Sequence, residues 1–328
     1  MVIDVKGKNI LFIGIGFYDY EQCILHNLES RGAFVSYFSS DIYVFGKGPL
    51  HRIGLHQLAT KLVSKKLERQ IINQPLNIDL IIIIKGYNFL NNHAALLRKR
   101  YPKSPVVLYL WDSLDRLYNK ELLLTLTANI FTFDRKDALK YNLSLRPLFA
   151  RSITRNVKEN YKYDISFVGE DHSIRYQVLQ SLIPEFDRLG IKYRFILTTT
   201  KLWKFIGIYI TRRINKLDAD LFRTQTIPYQ EYLQLLDDSN VILDISHPKQ
   251  SGLTMRTIET IGMGKKILTT NGEIAYYNFP KEMFHVIDTV KPQIDLIFLK
   301  SHFFSKYDVS NYTLDKFVDD ILGISNIQ

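Results

Sequence analysis

Val241-Ile242-Leu243-Asp244-Ile245, followed shortly by Gln250-Ser251-Gly252-Leu253-Thr254-Met255-Arg256-Thr257-Ile258-Glu259-Thr260-Ile261-Gly262-Met263-Gly264-Lys265-Lys266-Ile267-Leu268-Thr269, reads as strand, loop, helix, turn and strand. Thr254 carries an N-cap side chain, and Gly262 or Gly264 ends the helix. Backbone N–H groups of the loop, the positive end of the helix and Arg256 would converge near one point, which is what a phosphate requires. Glu259 lies three residues past Arg256 on the same helical side, placed to accept hydrogen bonds from sugar hydroxyls. The plainer alternative is a surface Arg256–Glu259 pair worth about 0.2–0.5 kcal/mol. The glycine-bearing loop and the strand end favour a binding site, and the segment suggests a nucleotide sugar as its ligand.

Working outward, apolar strands alternate with helical patterns along the whole chain. Strands are predicted at Asn9–Gly14, 33–38, 79–86, 106–110 and 129–134, with helices at 20–31, 54–73, 91–100 and 120–127 between them. The pattern pauses around Arg146-Pro147-Leu148-Phe149 and restarts with a strand at Tyr163–Gly169. After it come a helix from Ile174 to about Leu189, capped by Ser173, and a strand at 192–198. A helix at 228–237 opens on Pro228, strands follow at 240–246, 265–270 and 284–288, and a closing helix spans 313–322. Uninterrupted apolar strands with intervening helices imply parallel sheets covered on both faces. The expected fold is α/β: two Rossmann-like domains, residues 1–148 and 149–328, facing across a cleft, with ligands at the carboxyl ends of the strands.

Composition bounds the function. The 328 residues suffice for two domains, and 46% are apolar, enough for packed cores. One cysteine, Cys23, excludes an internal disulfide and a cysteine zinc site. No signal-peptide layout opens the chain, and no apolar run reaches the roughly 18 residues that span a bilayer. The reading is a cytoplasmic protein, soluble or peripheral to the inner face of a membrane. Net charge is +10, and residues 1–150 hold 20 Lys and Arg against 12 Asp and Glu, so the first half is expected to meet an anionic partner. No arginine-rich run, zinc finger or RNA-binding motif is present, so nucleic acid is not the expected partner. A lipid-linked phosphate or an anionic membrane accounts for the charge.

Phe12-Ile13-Gly14-Ile15-Gly16 begins like a dinucleotide fingerprint but lacks the third glycine. Asp19 is expected to cap the following helix, with Gln22 completing a capping box. Gly14 and Gly16 then serve to open the first loop toward an acceptor. Lys85 ends a central strand, where it binds an acidic group or simply reaches solvent. Trp111-Asp112-Ser113 ends another. There Asp112 is either a general base on an acceptor hydroxyl, beside the Trp111 wall, or a helix cap. Asp134 and Asp137 are expected to cap a helix. His247 ends the strand before the opening segment, and Lys249 adds charge there. Gly169 and Arg175 flank a second helix start, where Arg175 touches a phosphate or lies on the surface. Tyr229 and Glu231 open another helix, which packs on a base or only on the sheet. Asp218-Ala219-Asp220 matches a metal-binding Asp-x-Asp pattern, but no strand precedes it, and no metal site is expected. Lys201 through Arg213 is basic and aromatic, like an interfacial membrane helix or a helix packed on a domain. Lys61, Lys65, Lys66 and Arg69 form another basic contact surface.

Ile84-Lys85-Gly86, Tyr109-Leu110-Trp111-Asp112, Asp164 through Gly169, Pro228 through Tyr232 and Gln250 through Gly264 together resemble the GT-B glycosyltransferases. More narrowly, they resemble the CgeB-like bacterial polysaccharide and lipopolysaccharide group. The resemblance implies metal-independent transfer, without a cofactor, from a nucleoside-diphosphate sugar to a glycan or lipid-linked acceptor. Arg256, with Lys249, would bind the diphosphate, and Glu259 the ribose hydroxyls. Gly169, Arg175, Tyr229, Gln250, Ser251, Gly252, Leu253 and Thr254 would complete the donor site, and Gly14, Gly16, Lys85 and Trp111 the acceptor site. Asp112 and His247 are the candidate catalytic residues; Asp112 is the base if the reaction inverts, and retention needs none. Many retaining members carry a second glutamate eight residues before the first, where this chain has Ser251. A non-catalytic glycan-binding or scaffold protein of the same fold is the alternative. A nicotinamide-dependent oxidoreductase would need the complete fingerprint.

Overall fold

Leu80-Ile81-Ile82-Ile83-Ile84 is buried at every position, which only a sheet covered on both faces permits. The computed structural model describes residues 3–16, 19–41, 56–153, 158–172, 174–303 and 307–323; the cap expected at Ser173 lies outside them. The chain forms two compact units, Met1–Arg151 with Ser310–Gln328, and Ser152–Val309.

The first unit holds strands β1 (Asn9–Gly14), β2 (Phe34–Ser39), β3 (Leu80–Ile84), β4 (Val106–Leu110), β5 (Asn129–Thr132) and β6 (Ser144–Leu145), in the order β2-β1-β3-β4-β5-β6. Every pairing is parallel, and the β1–β3 register sets Ile10 against Leu80 and Ile13 against Ile83, so Gly14 and Ile84 end level. Helices α1 (Tyr20–Ser30), α2 (His56–Ile72), α3 (Asn91–Arg100), α4 (Lys120–Leu126) and α5 (Arg135–Tyr141) make the connections. Asp134 caps α5 by accepting from the N–H groups of Lys136 and Asp137. Asp137 itself turns to the Leu114 N–H at 2.7 Å, and burial, ahead of the neighbouring Asp134 charge, pushes its carboxyl up to about 6.

The second unit repeats the plan with β7 (Tyr163–Glu170), β8 (Tyr193–Thr198), β9 (Phe222–Arg223), β10 (Ser239–Asp244), β11 (Lys266–Thr269) and β12 (Phe284–Val286), in the order β12-β11-β10-β7-β8-β9, again all parallel. Its helices are α6 (Arg175–Arg188), α7 (Lys201–Phe205), α8 (Tyr229–Asp237), α9 (Met255–Gly262) and α10 (Leu296–Lys300). Pro228 stands one residue before α8, as its N-cap. Lys265, just before β11, and Lys266, its first residue, are buried with ammonium groups that satisfy carbonyls at the ends of α8 and α10. Lys265 Nζ donates to the carbonyls of Asp237 and Ser239 at 3.0 and 2.8 Å, and Lys266 Nζ donates to those of Phe298 and Ser301. Burial pushes both groups down to about 8.

The closing helix α11 (Leu314–Leu322) corrects the expected partition, because it packs on the first unit. Phe317 inserts beside Tyr109 and Phe149 with ring centroids 4.8 and 5.0 Å apart, and Arg31 pairs with Asp315 and Asp319. Arg146 meets Asp320 at 3.0 Å. The aromatic payload of Phe317 fixes where the helix docks, whatever its place in the chain.

Candidate functional site

A carboxylate inside an apolar strand must find donors. Asp244, fully buried at the end of β10, has five. Its Oδ1 accepts from Thr254 Oγ1 at 2.8 Å and Arg256 Nη1 at 2.9 Å. Its Oδ2 accepts from Ser246, Thr257 and Thr269 hydroxyls at 3.1, 3.1 and 3.2 Å. Thr254 also caps α9, accepting from Thr257 N–H, and Gly264 leaves the helix at φ 69°. The positive end of α9 is thus met from within by Asp244.

Arg256 reaches past this carboxylate to the Val168 carbonyl at the end of β7, with its guanidinium 4.7 Å above the Phe167 ring. Arg175, from the first turn of α6, crosses the opposite way: Nε donates to Ile245 O at 3.3 Å and Nη1 to Glu170 O at 3.0 Å. A Cβ added at Gly169 would stand 3.0 Å from Arg256 Nη2 and 3.1 Å from Arg175 Nη1. The two guanidinium groups therefore converge over Gly169, with the His172 and His247 rings 6.3 Å apart beside the same strand ends. β7 and β10 are sheet neighbours whose connections run in opposite directions, so this cluster occupies a topological switch point.

The rest of the opening segment is held from inside. Asn271 Nδ2 donates to the carbonyls of Ser251 and Gly252 at 3.1 and 3.2 Å, Gln250 Nε2 donates to Gly252 O at 3.2 Å, and Leu253 is buried. The Lys249 backbone N–H donates to His247 Nδ1 at 3.1 Å. Glu259 is only 2% exposed and accepts from the Tyr232 hydroxyl. Burial, then the Glu259 charge, pushes that phenol well above its ordinary value. The Tyr229 ring lies 6.2 Å from that of Tyr232. Glu231 pairs with Arg223, and Asp218 accepts from the Tyr176 hydroxyl at 2.6 Å, a structural role for one aspartate of the Asp-x-Asp pattern.

In the first unit the glycine loop is occupied by the protein itself. Glu21 Oε1 accepts from Ile15 N–H at 2.7 Å, and Oε2 accepts from Gly16 N–H and the Tyr37 hydroxyl, both at 3.0 Å. Burial and then the Glu21 charge push the Tyr37 phenol up to about 12. A Cβ on Gly14 would lie 2.1 Å from Glu21 Oε2. Gly14 and Gly16 thus make room for an internal carboxylate instead of opening the loop to an acceptor. Asp19 stands at the N-cap of α1 without a side-chain capping bond, which removes the expected capping box.

Beside this loop lies a cavity of about 370 Å³ lined by Ile15, Asp41, Lys85, Tyr87, Asp112, Arg116 and Leu117. Asp112 Oδ2 meets Lys85 Nζ at 3.0 Å, and Oδ1 accepts from Arg116 Nη1 at 2.6 Å. Lys85 holds φ 63°, a left-handed conformation that costs a side-chain-bearing residue about 1 kcal/mol. Its Nζ also lies 5.1 Å from the Tyr87 ring centroid. Ile15 and Lys85 follow β1 and β3, the switch point of this sheet. Trp111 does not join them. It is buried among Tyr20, Tyr109, Phe149 and Phe317, because side chains beyond β4 keep the period of two and send Asp112 and Trp111 to opposite faces.

No protein-family model matches this sequence, and no curated protein does. Solved structures similar to the chain include the UDP-GlcNAc 2-epimerase of Methanocaldococcus jannaschii in complex with UDP-GlcNAc and UDP. It is 12% identical, with 97% of this chain and 93% of that one covered and a TM-score of 0.49. The UDP-GlcNAc 2-epimerase of Neisseria meningitidis bound to UDP-GlcNAc is 10% identical over 97% of this chain and 95% of that one, at 0.47. The E. coli heptosyltransferase WaaC with ADP-2-deoxy-2-fluoro heptose is 10% identical over 95% and 99%, at 0.38. The similarity is distant, and the fold assignment rests on the two parallel six-stranded sheets themselves.

Of the residues expected from the sequence, Gly169, His247, Lys85 and Asp112 stand at or just past strand ends, and Arg175 and Arg256 reach the strand ends of the second unit from helices. Sequence reasoning missed Asp244, Glu21, Arg116 and Tyr87. For Asp244 the signal was present, as a lone carboxylate in an otherwise apolar strand.

Proposed function

We propose that the chain is a metal-independent glycosyltransferase of the GT-B type, using a nucleoside-diphosphate sugar and a glycan or lipid-linked acceptor in surface polysaccharide synthesis. The observation that carries this reading is the convergence of Arg175 and Arg256 over Gly169 at the β7/β10 switch point. A diphosphate is the ligand that two guanidinium groups recognise there, and they would stabilise it as it departs. Because Arg256 also neutralises buried Asp244, Arg175 is the residue whose removal reports on binding with the smaller structural cost. Lys249 and His247 add to the same rim. Glu259 and Tyr229 would meet the nucleoside at the α8–α9 side.

The acceptor is assigned to the cavity of the first unit. Lys85 and Arg116 donate, Asp41 and Asp112 accept, and Tyr87 supplies an aromatic face, a combination suited to a polyhydroxylated ring. Asp112 would orient an acceptor hydroxyl jointly with its two cationic neighbours. Those occupied oxygens also favour the second reading, a glycan-binding protein without turnover.

The test is a thermal-shift screen against nucleoside diphosphates and their sugars, followed by donor consumption with acceptor glycans. Stabilisation that Arg175→Ala removes supports the donor site. Glycan binding with no nucleoside diphosphate bound would select the second reading, and binding of neither would end both.

A further inference from the structure

The stretch Lys201–Leu217 carries five cations and no carboxylate. In the structure, α7 continues into a π turn, Ile206–Ile210, and the segment is pinned to the second unit from beneath. Ile208 and Ile214 are buried, and Gly207 lies so close to Ile214 that a Cβ there would stand 2.6 Å from its Cδ1. Asn215 N–H donates to the Tyr176 hydroxyl at 3.0 Å, and Lys204 Nζ donates to Phe222 O at 2.7 Å.

Held this way, the segment presents its apolar side chains outward. Leu202, Trp203, Phe205, Tyr209 and Ile210 are all more than half exposed, and at helical spacing they fall within roughly half of the circumference. Trp203 is 55% exposed, whereas the other tryptophan, Trp111, is 8%. Large apolar side chains exposed together need an explanation, unlike single ones. Lys201, Arg212 and Lys216 are exposed at the flanks, with Lys216 Nζ 5.7 Å from the Tyr209 ring centroid. Aromatic and aliphatic side chains rimmed by cations that pair with no carboxylate among the described residues match one partner in both apolarity and charge, the interface of an anionic bilayer.

We propose that Lys201–Leu217 docks the second unit on anionic membrane, with Trp203, Phe205 and Ile210 entering the interface and Lys201, Arg212 and Lys216 meeting lipid headgroups. The proposal is independent of the donor site and is read without nucleotide.

The experiment is co-sedimentation of the full chain with vesicles of phosphatidylcholine alone or mixed with phosphatidylglycerol, alongside tryptophan emission. Binding is expected with the anionic vesicles, weakening as salt is raised. A blue shift of the emission should accompany it, absent in Trp203→Phe, which should still bind. Trp203→Ser and Ile210→Ser should each weaken binding by about tenfold or more, the loss of one large buried apolar side chain. Arg212→Glu should also weaken it, and circular dichroism would check that each variant is folded. Absence of binding to anionic vesicles, or binding unchanged in both serine variants, would overturn the proposal. So would sedimentation velocity showing that this face is instead buried between two copies of the chain.

Discussion

Replacing Gly14 by alanine should unfold the first unit at much lower denaturant concentration, although the change adds a single methyl group. That methyl would stand 2.1 Å from Glu21 Oε2 and 2.9 Å from Tyr37 Cε2, inside any tolerable contact. Glu21 is buried and cannot step aside without releasing the N–H groups of Ile15 and Gly16 and the Tyr37 hydroxyl. Hydrogen bonds to a charged group contribute about 1.5–3 kcal/mol each, so losing two of the three costs about 4 kcal/mol. The assay is urea denaturation followed by emission of Trp111, in a Trp203→Phe background so that only the first unit is read. Glu21→Ala alone should be destabilising by a similar amount. Gly14→Ala added to it should cost little more, giving a coupling energy above about 2 kcal/mol in the double-mutant cycle. A Gly14→Ala variant within about 0.5 kcal/mol of the parent would refute the claim that the loop is filled from inside.

Other consequences are open to measurement. Asp244→Ala strips Arg256 and four hydroxyl groups of a shared acceptor and should cost about 3–5 kcal/mol, read by hydrogen exchange of β10 and α9. Arg256→Ala should likewise lower the melting temperature through orphaned Asp244, whereas Arg175→Ala, which gives up bonds to the Ile245 and Glu170 carbonyls, should lower it less. Lys265 and Lys266 have folded values near 8, below the ordinary lysine value of 10.5, so the unfolded chain binds more protons between those limits. Stability of the second unit should therefore rise from about pH 8 toward pH 10, by at most about 3 kcal/mol per lysine. Above pH 10 the sign reverses for Tyr176 and Tyr193, raised to about 12 by burial, whose stabilisation is lost as pH climbs to that value. Urea midpoints across this range would show the rise and the fall.

Much of the fold could be read from the chain because buried parallel strands announce themselves, as Leu80–Ile84 and Val106–Leu110 do, and because Thr254 and Gly264 bracket a helix by known chemistry. The two-residue edge strands Ser144–Leu145 and Phe222–Arg223 carry no periodicity to detect. The docking of α11 depends on Phe317 finding an aromatic cluster distant in sequence. Trp111 lies away from the cavity because the period of two sends it to the face opposite its neighbour Asp112. The glycine loop looked open because its occupant, Glu21, arrives from the helix that follows. Asp244 hid among apolar residues as one more strand position, although its burial alone demanded the ring of hydroxyls and Arg256 that surrounds it. Sequence placed the cations at the strand ends; only the structure separates Arg256, committed to an internal carboxylate, from Arg175.

That separation makes calorimetric titration of nucleoside diphosphates into the parent chain and Arg175→Ala the most direct test. The donor-site reading predicts saturable binding of at least one diphosphate by the parent. It also predicts a loss of about tenfold or more in Arg175→Ala, the contribution of one charge-assisted hydrogen-bonding group, with folding retained. Equal affinity in the two proteins, or no diphosphate bound by the parent, would contradict it.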